Sequence, residues 1–273
     1  MKRHLVFLGV TLGYAASVAA SPFFFSTGNV DGRMASASRP DLGGKMEIES
    51  ADDFIAPSEV RISSATFTGL ITGGGSIGDV DVEIYRVFPK DSNNPPSGNV
   101  VTRVNSPSDV AFATRDAAGG ELIFSTSTLS PTFTANNSVL NGINKLPNQK
   151  TAGEGPVTGT EVLFTVNFTT PFDLPADHYF FIPQVQVTGG EFYWLSSVRP
   201  IVPPGTVFAP DLQSWIRDAN LDPDWSRIGT DIVGDGSTFN AAFTLTGATV
   251  PEPATLALLG MGFAGLGFSR RKR

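Results

Sequence analysis

Apolar and polar positions alternate with a period of two along much of this chain. Between Asp79 and Phe88 the alternation is clean, with Val80, Val82 and Ile84 on one side and Asp79, Asp81 and Glu83 on the other. That spacing predicts a half-buried antiparallel strand with one wet face. Runs rich in β-branched and aromatic residues predict further strands over 59–70, 121–129, 138–143, 160–170, 178–187, 191–197 and 237–250. Glycine and proline punctuate them, as in Gly73-Gly74-Gly75. Only residues 211–220 carry a helical period. There Leu212, Trp215, Ile216 and Ala219 share a face, Asp211 stands where a cap is needed, and Pro223 stops continuation. The pattern predicts a mostly β protein: an antiparallel, jelly-roll-like β-sandwich with one short helix. Residues 21–50, polar and rich in Gly, Ser and Pro, read as an irregular lead-in, and the sandwich as residues 51–249. The Pro- and Asn-rich stretch 89–99 reads as a long hairpin loop.

Composition agrees with a packed body. Hydrophobic residues are 41% and charged residues 16% of the 273, with 21 phenylalanines, which excludes a disordered chain. Between residues 21 and 250 stand 13 basic and 25 acidic residues, a net charge of −12. Such a body repels nucleic acid and anionic lipid, and suits divalent cations or neutral sugars. There is no cysteine, so disulfides, thiol nucleophiles and Cys-ligated zinc are excluded.

The two ends differ from the body. Lys2, Arg3 and His4 precede an apolar run from Leu5 to Tyr14, and small residues follow up to Ala20. This is the layout of a secretory signal peptide, residues 1–20, cut by signal peptidase after Ala20. At the other end Pro251-Glu252-Pro253 precedes fifteen apolar residues, Ala254 to Phe268, and the basic cluster Arg270, Arg271, Lys272 and Arg273. As a helix that run is about 22 Å long, enough for a single transmembrane helix whose basic end snorkels to the cytoplasmic side. The two prolines hold Glu252 extended outside the membrane, accessible to a processing enzyme.

Residues 250–273 thus resemble the PEP-CTERM sorting domain in all three of its parts. The resemblance implies that an exosortase, a membrane protease-transpeptidase, reads Pro251, Glu252 and Pro253. It also implies transient anchoring in the inner membrane, then placement at the outer surface or in extracellular matrix, associated with exopolysaccharide and biofilm. More loosely, Ala51-Asp52-Asp53-Phe54 and the strands after it resemble the opening of sandwich domains in exported bacterial proteins, which implies a fold and no activity.

Candidate chemistry in the body is sparse. His178 is the one histidine outside the leader, and a hydrogen-bonded structural role outweighs catalysis, since no nucleophile or orienting carboxylate is fixed near it. Gly74-Gly75-Ser76-Ile77-Gly78 fits G-x-S-x-G, yet a glycine run precedes and a strand follows, so Ser76 reads as a turn residue. Asp222, Asp224 and the acidic turn 231–236 could supply oxygen ligands to Ca²⁺ or simply make turns. Among the late aromatics, Phe192, Trp194 and Trp215 read as core, while Tyr193 and Trp225 are candidates for an exposed carbohydrate-stacking platform. The expected protein is a non-enzymatic surface or matrix component without a resident cofactor, with polysaccharide as candidate ligand. A polysaccharide hydrolase and a purely structural matrix component are the alternatives. Carboxylates in a concave groove would favour the hydrolase, and an exposed aromatic patch without them the binder.

Overall fold

The computed structural model describes residues 20–143, 149–201 and 211–251. The chain divides into a body, Pro22–Thr249, and a second unit made of both chain ends. In chain order the strands of the body are β1 (Pro22–Ser26), β2 (Val30–Ala37), β3 (Ile48–Ala56), β4 (Val60–Ile71), β5 (Ser76–Arg86), β6 (Ala113–Asp116) and β7 (Leu122–Ala135). They continue as β8 (Asn137–Val139), β9 (Val157–Leu174), β10 (Asp177–Thr188), β11 (Phe192–Ser197), β12 (Trp215–Asp218), β13 (Ser226–Arg227) and β14 (Phe243–Thr249). A π-helical turn, Ile228–Val233, is the one helical element among the described residues.

Two sheets result. The first runs β1-β14-β4-β11-β2-β8, with β9 on the other edge of β4 and β7 beyond it; the second runs β13-β12-β3-β10-β5-β6. Every pairing is antiparallel except β2 with β8. The period-two pattern explains the packing. Phe67, Phe164 and Phe243 of the first sheet and Phe54, Val82 and Phe181 of the second belong to one buried core. Phe181 stacks on Phe243 at 5.1 Å and meets Trp194 edge-on at 6.0 Å, which ties the sheets together across the sandwich. Gly73 and Gly74, both at positive φ, turn the chain from β4 into β5. A Cβ on Gly190 opposite would lie 1.9 Å from the Thr72 carbonyl oxygen, so that close approach requires glycine.

Two smaller cores cover outer faces. Leu70, Tyr193 and Leu195 on the first sheet lie under Val139, Ile143, Ile228 and Phe239. Tyr85, Phe180, Trp215 and Trp225 on the second form another cluster, with Val87 and Ala111 packed on it. The β5–β6 connection, which contains 89–99, is the expected long hairpin loop.

Three expectations fail here. Residues 21–50 are not an irregular lead-in: they hold β1, β2 and the start of β3, and β2 lies inside the first sheet. Residues 211–220 are not a helix. Trp215–Asp218 is a strand between β3 and β13, buried at all four positions, and Asp211 bonds Asn240 and pairs with Arg199 instead of capping. A segment buried on both faces has no wet side to set its period, so spacing alone cannot separate strand from helix. Third, Tyr193 and Trp225 are no exposed platform, being 6% and 0% exposed. Tyr193 does alternate away from Phe192 and Trp194, but its side of the sheet is also covered. Trp225 donates through Nε1 to the Ser108 carbonyl at 3.0 Å, beneath the hairpin loop.

The leader 1–19, Glu252, Pro253, the apolar run and the basic tail lie outside the described residues, as does the expected transmembrane helix. Pro251 is described, and it is exposed. Among the described residues no helix is long and apolar enough to cross a membrane.

Candidate functional site

The outer face of the second sheet is apolar at one end and acidic at the other. Antiparallel register places Arg217 of β12 opposite Glu49 of β3. Tyr85 and Glu83, two apart on β5, point to the same side. With Glu47, Asp218 and Asp222 they line a cavity of about 380 Å³.

One guanidinium organises it. Arg217 forks onto Glu49, its Nη2 donating to Oε1 at 3.2 Å while Nε holds Oε2. Nη2 also donates to the Tyr85 hydroxyl at 2.9 Å and Nη1 to Asp222 at 2.7 Å. The guanidinium lies 4.4 Å from the Trp225 ring centroid, so the buried indole that fails as a sugar platform supports the arginine from below. The Tyr85 hydroxyl reaches Glu49 Oε1 at 2.9 Å and Glu83 Oε2 at 3.4 Å.

Carboxyls outnumber cations in this cavity, and their acidity shows it. Burial first, and then the Glu49 charge and its hydrogen bond, push the Glu83 carboxyl up to about 9. Burial also raises Glu47, although Gln184 donates to it at 2.9 Å. Glu83 therefore carries a proton at neutral pH and shares it with Glu49. Further along β5, one carboxylate oxygen from each of Asp79, Asp81 and Asp116 falls within 4.8 Å of the others. Burial, followed by the two neighbouring aspartates, pushes Asp81 up to about 7. Glu47 adds to that rise, so cleft and triad form one electrostatic track.

Three of the residues singled out from sequence for Ca²⁺ are committed elsewhere. Asp224 accepts from Arg103 at 3.0 Å, Asp231 takes Arg227 at 2.6 Å, and Asp235 accepts the Ser237 N–H at 2.8 Å. These three make turns and ion pairs; of the residues singled out, Asp222 alone lines the cleft, held by Arg217, beside Glu47, Glu49 and Glu83, which the sequence did not mark. His178 is hydrogen-bonded as expected, its Nε2 2.6 Å from Asp53 Oδ2. Burial lifts Asp53 to about 6 against the pull of that histidine. Its other oxygen accepts the Leu212 N–H at 2.9 Å, and Asp52 accepts the Ala241 N–H at 2.7 Å, so the pair staples two connecting segments to β3. Ser76 opens β5 at the surface, as a turn residue would.

The fold and cleft define a β-sandwich with a polar surface cavity. The chain carries a PEP-CTERM protein-sorting motif, whose family profile matches residues 249–272. That motif marks an exported protein, anchored in the membrane before sorting and recognised by an exosortase. No curated protein and no solved structure matches this chain.

Proposed function

We propose that this exosortase substrate is a non-catalytic surface or extracellular-matrix protein whose acidic cleft binds a divalent cation and, through it, matrix polysaccharide. The observation that carries the reading is the crowding of Glu47, Glu49 and Glu83 around a single guanidinium, with a proton held where a cation would serve. Ca²⁺ takes six to eight oxygen ligands, and carboxylates with room beside them meet that demand. The same geometry disfavours the hydrolase. Glycosidase carboxyls stand about 5 Å or more apart to admit the anomeric centre, whereas Glu49 and Glu83 share a hydrogen bond, and Glu49 is already clamped by Arg217. An ion that displaces the Glu83 proton links binding to proton release. Calorimetry with CaCl₂ at pH 7.5 in two buffers of different ionisation enthalpy should show saturable binding with about one proton released per ion. Glu83→Gln should abolish the release. Absence of saturable Ca²⁺ binding, or release unchanged in Glu83→Gln, overturns the reading.

A further inference from the structure

Another surface, on the outer face of the first sheet, is built from hydroxyls. Register sets Ser26 beside Thr244, Thr244 beside Thr66, Thr66 beside Thr165 and Thr165 beside Ser125. Five adjacent strands, β1, β14, β4, β9 and β7, therefore present one row of hydroxyls. Phe67, Phe164 and Phe243, next to Thr66, Thr165 and Thr244, are core, and Phe25 and Phe124, next to Ser26 and Ser125, pack against it, so the row faces outward. The Ser26 and Thr244 hydroxyls lie 3.4 Å apart, which fixes them on one side. At about 4.8 Å between strands the row is roughly 19 Å long.

This face carries no charge between the Arg61–Asp173 ion pair and Glu161, in a body whose net charge is −12. A groove of about 280 Å³ runs along it past Thr66, Thr68 and Thr244, with Leu129 and Leu163 on its wall. Glu161 lines the groove at 7% exposure, and among the described residues none forms a hydrogen bond or ion pair with its carboxyl. Its carboxyl oxygens are open to the groove and not sealed from solvent, so a ligand hydroxyl can reach and donate to them. Beside the row Phe24, opposite Thr246, is 70% exposed, an aromatic ring that the body leaves bare.

We infer that this groove binds a neutral glycan chain, with its hydroxyls on the Ser/Thr row and Glu161, and a sugar face on Phe24. The ligand must be uncharged because nothing here would pair a charge except Glu161. It must be rich in hydroxyls because the row both donates and accepts. An extended single chain fits better than a planar crystalline surface, because successive strands rotate by roughly 20–25° and five of them cannot present a flat lattice. This goes beyond the cation-binding reading and uses none of its residues.

The test is affinity electrophoresis of the purified full-length protein through gels containing a soluble neutral β-glucan, with alginate as the acidic comparison and with EDTA present. Retardation by the glucan is expected to persist in EDTA and in Glu83→Gln. It should weaken at least tenfold in Phe24→Ala and in Thr66→Val/Thr244→Val, and severalfold in Glu161→Gln. Unchanged melting temperatures would show that these variants stay folded. Loss of binding in EDTA, equal binding by Phe24→Ala and the double Val variant, or retardation by alginate alone overturns the inference. So does sedimentation showing a dimer that Phe24→Ala dissociates, since a second copy would then be the occupant. Calcium binding without glucan binding refutes this inference and leaves the cleft reading standing; the reverse result does the opposite.

Discussion

Replacing Glu83 with glutamine keeps the shape of the protonated carboxyl and removes its ability to ionise. The folded protein holds the Glu83 proton up to about pH 9, whereas an unfolded glutamate gives it up near its ordinary value. Between those limits the folded state binds more protons than the unfolded one, so stability falls as pH rises and levels off above about 9. One fully retained proton corresponds to about 1.4 kcal/mol per pH unit. Solvent reaches part of this cleft, so we expect a slope of about 0.7–1.4 kcal/mol per unit from this group. Asp53 and Asp81, lifted to about 6 and about 7, act mainly at lower pH, and Asp52, which burial also raises, is the same in wild type and variant, so the difference between their slopes reports Glu83. Urea unfolding can be followed by the fluorescence of Trp194, Trp215 and Trp225, all fully buried. Wild type and Glu83→Gln should be near equal in stability only near pH 4.5 and below, where both states hold the proton. At pH 8.5 the variant should be the more stable, by about 3–5 kcal/mol. Parallel slopes, or a variant less stable at pH 8.5, would refute the proton-sharing account of the cleft.

Two further predictions address the tail and the loop. Changing Pro251, Glu252 and Pro253 together to alanine should leave an uncleaved, membrane-retained protein, because the recognition segment is lost and the apolar run remains; mass spectrometry of the surface and membrane fractions reads this directly. Arg103 is buried between Asp109 and Asp224, at 2.8 and 3.0 Å. Its loss strands two buried carboxylates, so Arg103→Ala should destabilise by about 3–5 kcal/mol in urea titration, and Arg103→Lys should recover only part of that, since one ammonium cannot fork between both.

The features readable in the sequence were local ones. Val80, Val82 and Ile84 announce β5 because one face of that strand is wet and the other dry. The sorting motif could be read because its proline, apolar and basic parts are contiguous. Strand β3 was not legible: in Ile48–Ala56 the acids Glu49, Asp52 and Asp53 are all buried, each with partners supplied from far along the chain. The cleft was hidden for the same reason. Glu49 and Arg217 stand 168 residues apart, and only the pairing of β3 with β12 joins them. Trp225 looked exposed among Asp222, Asp224 and Ser226, yet those polar neighbours are themselves satisfied by Arg217 and Arg103 beneath the hairpin loop. Glu161 and Phe24 gave no sign of sharing a face, because nothing local marks the five-strand register that unites them.

Strand β14 has a mechanical consequence. It is laced on one side to β1 and on the other to β4, from Phe243 to Thr249, and the chain then runs directly into the sorting tail. A tether acting at Thr249, with the load borne elsewhere on the body, pulls along the strand. Both ladders are then loaded in shear, all their hydrogen bonds at once, and cannot open one after another from the end. The N-terminal residue of β1, Pro22, lies beside Ala248 near that same tether point, so the start of the first strand is stitched down there. A load on the body would therefore meet these two sheared ladders before any element carrying the cleft is disturbed.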